Sequence, residues 1–326
     1  MAINKTTILI LKISISTLIL GLLIGKFGEE ASKSLEKISS ASGLLFLSTG
    51  ASLHFGEKFL RVFSFKLLLS YCNAIFNYLQ LVKITLISAF YGFFIPGEIG
   101  PDLVRIHSLK QGTQNYAQPA AATLLLNVIT IASAALICLL GVSFMLISDE
   151  SFPPSLGYSI LISSIAIVSL GLIGINNKFQ HLLIKLLNNI NLPFTTTAIR
   201  LTNKLIIAVN QITSGKSLLS IVFLASLVII IASVKVYLIS LALNLNINIV
   251  HFMILMPMTM VFAAAPISFA GIGIRESVFV VYLSMQGVSS GDALVMGILA
   301  SLFNVIFALF GGLIQIFDIK PSSNKS

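Results

Sequence analysis

Two short stretches carry the residue types and spacing that could do chemistry: Pro96-Gly97-Glu98-Ile99-Gly100-Pro101-Asp102-Leu103-Val104-Arg105 and Pro266-Ile267-Ser268-Phe269-Ala270-Gly271-Ile272-Gly273-Ile274-Arg275. Each ends a long apolar run with a proline and reaches an arginine nine residues later. Charged side chains at membrane depth are costly and usually functional. The planar guanidinium donates two parallel hydrogen bonds to a phosphate. Arg105 and Arg275 are therefore candidate lipid- or phosphate-binding residues, with Glu98, Asp102 and Glu276 as acids that hold them when empty or carry protons. The competing readings are ordinary loops whose arginines meet lipid headgroups, and acids that serve only as ion-pair partners.

The elements that position these residues must be helices interrupted at Pro96, Gly97 and Gly100, and again at Pro266, Ser268, Gly271 and Gly273, because proline and glycine break helices. The 326 residues are 56% hydrophobic and 10% charged, which excludes an ordinary soluble domain and predicts an all-α polytopic membrane protein. The net charge of +9 sits in loops, where it reports orientation and anionic headgroups and not nucleic acid. Cys72 and Cys138 lie in apolar runs and read as small buried hydrophobes.

Taken in order, the apolar runs predict spans at about 7–25, 40–55, 118–147, 156–175, 218–243 and 292–317. The mixed-charge stretch 26–39 reads as a short exposed helix, and Lys58, Arg61 and Lys66 as a loop after the second span. The runs 67–95 and 251–285 read as re-entrant or as full spans. With the bases of 58–66, 105–110 and 178–216 placed in the cytoplasm, both enter and return. The result is about six spans plus two re-entrant segments in an inverted-topology repeat, with about eight spans as the alternative. The halves are roughly 1–150 and 151–320 of a single membrane domain, with an offset of 170 residues between Pro96 and Pro266 and between Arg105 and Arg275. Both termini are then cytoplasmic, as are Lys110 and Lys204, while Asp149 and Gly291 lie outside.

The segment 176–217 carries Lys178, Lys185, Arg200, Lys204 and Lys216 without an acid, and its apolar residues recur at helical spacing. It reads as two basic amphipathic helices for an anionic membrane surface, with a partner-binding surface as the rival. No HExxH, CxxC, Walker loop or GxSxG is present, so no catalytic residue, metal or cofactor is expected. His54, His107, His181 and His251 read as packing or interfacial residues. A third reading is an intramembrane transferase using Glu98, Asp102 and Glu276.

At these motifs the chain resembles the family of the lysylphosphatidylglycerol synthase transmembrane region, the flippase-like membrane proteins. The late family pattern, Pro-x-Ser-x-x-Gly-x-Gly-x-Arg-Glu, is matched by Pro266, Ser268, Gly271, Gly273, Arg275 and Glu276, with Gly287, Val288 and Asp292 beyond it. The early pattern is matched at Pro96, Gly97, Gly100, Asp102 and Arg105, with Pro101 where the family has a second glycine. An acid–arginine pair of the following span is missing; Asn127-Val128 stand near its place, which implies a polar contact altered or lost. The resemblance implies a bacterial or archaeal inner-membrane protein that moves a phospholipid or polyprenyl-phosphate-linked intermediate between leaflets. The alternative is a partner subunit of a cell-envelope glycosyltransferase or aminoacyl transferase, and self-association is open. In the full synthases a soluble aminoacyl-transferase domain follows; the chain ends at Ser326, so that activity is not expected.

Overall fold

The computed structural model describes residues 5–71, 74–92, 94–95, 100–113, 116–148, 152–175, 215–264 and 271–318. Among them are ten helices and no strand: α1 (Lys5–Lys37), α2 (Ala41–Tyr71), α3 (Tyr78–Gly92), α4 (Gly100–Thr113), α5 (Ala117–Ser148), α6 (Pro154–Ile175), α7 (Gly215–Ala242), α8 (Ile249–Ala264), α9 (Ile274–Ser284) and α10 (Ser290–Asp318). The segment 176–214, with most of the predicted basic amphipathic helices, lies outside the described residues, as do Pro96, Gly97, Glu98, Pro266 and Ser268.

Helix starts follow side chains that accept from unpaired backbone N–H groups. Ser40 Oγ accepts from Gly43 N–H at 3.1 Å before α2, Asn77 Oδ1 from Leu79 N–H at 3.2 Å before α3, and Asn248 Oδ1 from Val250 N–H at 3.1 Å before α8. Ser289 Oγ accepts from Asp292 N–H at 3.1 Å and donates to Asp292 Oδ2 at 2.8 Å, fixing the start of α10. Asn244, at φ 57°, ends α7 in the left-handed conformation that asparagine tolerates.

Three helices hold stretches long and apolar enough to cross a membrane by length and composition: Gln118–Ser148 of α5, Leu218–Ala242 of α7 and Ser290–Phe317 of α10. Helix α2 has the length, 31 residues, but carries Glu57, Lys58, Arg61 and Lys66. The helices flanking the motifs are short. At 1.5 Å per residue α3 and α8 reach only about 22–24 Å, less than a hydrocarbon core of about 30 Å.

Several sequence boundaries move. The stretch 26–37 is not a separate helix but the end of α1, and it is held: Lys37 Nζ donates to Asp292 Oδ1 at 2.8 Å, and Gly291 N–H to Glu30 Oε2 at 3.1 Å. The second apolar run does not stop at Phe55. Helix α2 continues to Tyr71, so Lys58, Arg61 and Lys66 are helical and not a loop. Likewise Arg105 is buried on α4 and not exposed in a loop. The run 67–95 divides between α2 and α3, and Tyr78 Oη closes the bend by donating to the Phe59 carbonyl at 3.0 Å. These shifts follow from tertiary contacts that hydropathy does not report.

Helix α2 lies along α7, α5 along α6, and α3 and α9 along α10. Apolar solvent drives no helix association in a membrane, so close approach at small residues matters. A side chain at Gly311 of α10 would strike the Leu86 carbonyl of α3. One packed cluster joins α1 and α5–α10 through residues such as Met145, Phe252, Phe279 and Phe303. The other joins α2–α5 and the start of α7 through Phe65, Leu68, Leu109 and Leu126.

Candidate functional site

The motif arginines come together at one cavity of about 480 Å³, walled by parts of α1–α4 and α7–α10. Among its described residues are five bases, Lys58, Arg61, Arg105, Lys235 and Arg275, and three carboxylates, Glu57, Asp102 and Glu276. Of the predicted site residues, Arg105, Arg275, Asp102 and Glu276 line this space. Gly100, Gly271 and Gly273 are not in its lining but adjoin the lining residues Pro101 and Ile272 in the chain. Glu98 lies outside the described residues.

On the α4 side, Gly100 and Pro101 open the helix against Gly92 of α3, where any Cβ at Gly92 would strike Pro101. Proline suits a first helical turn, having no N–H to leave unpaired. Asp102 in that turn faces the positive end of the helix dipole. One turn on, Arg105 Nη2 donates to Asp102 Oδ1. The Arg105 guanidinium also stacks 4.4 Å from the Phe65 ring centroid.

Asn127 of α5 completes this side. It donates through Nδ2 to Asp102 Oδ2 at 2.7 Å, and its Oδ1 accepts from Arg61 Nη2 at 2.9 Å. Asn127 stands at the place where the resemblance implied an altered or lost polar contact, and here it bonds to both an acid and a base. An uncharged amide joins an acid on α4 to a base on α2, which no spacing in the sequence shows.

On the α9 side the two glycines do a task only glycine does cheaply. Gly271 has φ 76° and Gly273 φ 87°, a region L side chains avoid. The turn lets Glu276 Oε2 accept from Gly273 N–H at 2.7 Å, capping α9. Ser301 of α10 donates to Glu276 Oε1 at 2.5 Å and accepts from Arg275 Nη1 at 3.3 Å. Glu276 is buried.

Between the two sides runs a group the sequence reading missed. His54, Glu57, Lys58 and Arg61 recur at steps of three, one and three, one face of α2. Lys235 of α7 donates to Glu57 Oε2 at 2.6 Å and lies 3.1 Å from His54 Nδ1. Lys58 Nζ is 3.6 Å from Glu57 Oε1. Lys58, Arg61 and Lys235 thus line the same cavity as the two motif arginines. The available signal was the helical spacing of those charges and the lone Lys235 inside an apolar span.

His251 and Tyr282 pair at 3.2 Å in the core, a packing role as expected for His251, and Cys138 is buried. Among the described residues no three His, Cys, Asp or Glu side chains converge as a metal-binding group. Three buried polar atoms around the cavity have no hydrogen-bond partner among the described residues: Thr85 Oγ1, Ser88 Oγ and Arg105 Nε. Buried polar groups are nearly always paired, so these three are exceptions.

A family model described as lysylphosphatidylglycerol synthase TM region matches residues 9–312. The chain belongs to this family. Neither a curated protein nor a solved structure matches it. As a lysylphosphatidylglycerol synthase transmembrane-region protein, it is a multi-pass helical membrane protein related to lipid modification or flipping. Within that family's frame, both motif arginines line one cavity.

Proposed function

We propose that the protein moves a lipid with an anionic, phosphate-bearing headgroup between the two leaflets of the membrane. The observation that carries this reading is that Arg105 and Arg275, from motifs 170 residues apart, line one cavity. Polar, irregular backbone at membrane depth is tolerated where it lines a wet cavity. A headgroup would pass from one arginine along the α2 bases to the other while its chains stay in lipid. Asp102 and Glu276 would hold the arginines between passages. In this proposal the short helix pairs α3/α4 and α8/α9 are re-entrant and the halves form an inverted repeat.

A second cavity of about 360 Å³ supports an amphipathic cargo. It lies beside α5, α6 and α8, is walled mainly by apolar or small residues such as Ala134, Ala135, Val261 and Phe262, and shares Met260 of α8 with the charged cavity. A hydrocarbon chain would fit there while its headgroup occupies the charged side.

The test is reconstitution of the full chain into liposomes with labelled anionic phospholipids and polyprenyl phosphates. The expected result is exchange between leaflets faster than in protein-free vesicles. Folded protein that moves none of these lipids overturns the proposal.

A further inference from the structure

The charge inventory of the cavity bears on which anionic headgroup it takes. Among the described residues, five bases face three carboxylates, so the described wall carries a net positive charge of two. Each carboxylate is engaged: Asp102 by Arg105 and Asn127, Glu57 by Lys235, and Glu276 by Ser301 and Gly273. None of those bonds neutralises Arg61, which donates to the uncharged Asn127 amide. Lys58 shares Glu57 with Lys235, at the longer of the two distances. Two bases on one face of α2 therefore stand in the wall with an incomplete counter-charge. In a low-dielectric site an uncompensated charge is expensive, so a site built this way is matched to an anion.

The hydrogen-bond inventory points the same way. The hydroxyls of Thr85 and Ser88 and the Nε–H of Arg105 are buried without a partner among the described residues. Ser88 and Arg105 are more than nine-tenths buried. A phosphate diester offers two terminal oxygens and one negative charge. A phosphate monoester offers three terminal oxygens and carries about −1.5 to −2 at pH 7. Two surplus positive charges and three idle donors fit the monoester.

We infer that Lys58 and Arg61 form a middle anion site on α2, and that the cavity selects a lipid phosphate monoester over a phosphate diester. This rests on the lipid-moving reading for the source of the headgroup, but its test is one of binding. The motif arginines serve each end of the path; the α2 pair supplies the second charge, and Thr85 and Ser88 donate to the additional oxygen.

The experiment compares phosphatidic acid and phosphatidylglycerol with identical acyl chains, binding to the purified full chain in a neutral detergent at neutral pH. Wild type is expected to prefer phosphatidic acid by about tenfold or more, equivalent to 1.4 kcal/mol. Arg61→Gln should weaken phosphatidic acid binding far more than phosphatidylglycerol binding and so remove most of that preference. Arg61→Lys, which keeps the charge, should retain it and covers the case in which the glutamine variant does not fold. Equal affinity of wild type for the two lipids overturns the inference, as does an Arg61→Gln variant that weakens both lipids alike. Inorganic phosphate forms the third arm. If it displaces phosphatidic acid at matching concentration, the site takes a free ion and the lipid assignment falls. Leaflet exchange without any binding preference sinks this inference alone; a preference without exchange sinks only the transport proposal.

Discussion

Lys235 of α7 donates to Glu57 of α2 at 2.6 Å, joining two helices that lie along each other and both line the cavity. Both side chains are buried. Removing one partner of a buried pair leaves a bare charge and costs about 3–5 kcal/mol, whereas replacing both by apolar residues is often neutral. Lys235→Met should therefore lower thermal stability in detergent, and Glu57→Met with Lys235→Met should recover part of it, because Lys58 then loses the carboxylate it shares. A double variant as unstable as the single one would show that the pair does more than satisfy itself.

Asn127 bridges Arg61 and Asp102 with one acceptor and one donor. Asn127→Leu removes hydrogen bonds to two charged groups, each worth about 1.5–3 kcal/mol. The expected outcome is reduced stability together with slower lipid exchange. Asn127→Asp keeps the acceptor for Arg61 but sets a second carboxylate against Asp102, and should impair the protein through like-charge repulsion. Wild-type melting and exchange in both variants would remove Asn127 from the site.

The two motif arginines separate phosphate capture from headgroup anchoring. Lysine preserves charge but loses the fork, and at Arg105 it also loses the plane that stacks on Phe65. Arg105→Lys and Arg275→Lys should each slow lipid movement by about tenfold, the consequence of about 1.4 kcal/mol, with unchanged expression. Arg105→Lys should chiefly slow loading from the cytoplasmic leaflet and Arg275→Lys from the outer one. Normal rates in both lysine variants would favour simple anchoring.

Gly273 and Gly287 give a matched pair. Both have positive φ, 87° and 77°. An L side chain in that region costs roughly 1–2 kcal/mol. Gly287 has open space around it, so Gly287→Ala should cost stability alone. Gly273→Ala should also disturb the Glu276 cap and so slow lipid exchange. Thermal melts and exchange rates on both variants check this; equal exchange loss would detach the Gly273 turn from the site.

Orientation is open to single-cysteine labelling in a Cys72→Ser, Cys138→Ser background. Lys110 and Lys204 are expected to label from the cytoplasm and Asp149 from outside. Gly291 is buried against Glu30 of α1, so exposed Met285 is the better outer probe near that position. Labels at Lys66 and Lys110 on opposite faces would refute a re-entrant α3/α4 pair.

The amino-acid sequence by itself determined the membrane class, the helical character, the three long apolar helices α5, α7 and α10, and the two broken motifs. Each of these is a local property: hydropathy within a window, or a backbone that proline and glycine will not let continue. The motif glycines were readable for the same reason, since a positive φ is met most cheaply by glycine. Only the tertiary structure decided that Lys58 and Arg61 belong to the cavity. At the edge of an apolar run, bases look like interfacial anchors whichever way they face. Their role depends on α2 continuing past Phe55 and laying that face against Lys235, a residue 178 positions from Glu57. Asn127 was marked in the sequence only by its place in the family pattern and not by its own chemistry. A neutral amide in an apolar span has no charge to draw attention, and its function lies entirely in the two helices, α2 and α4, that folding brings to either side of it.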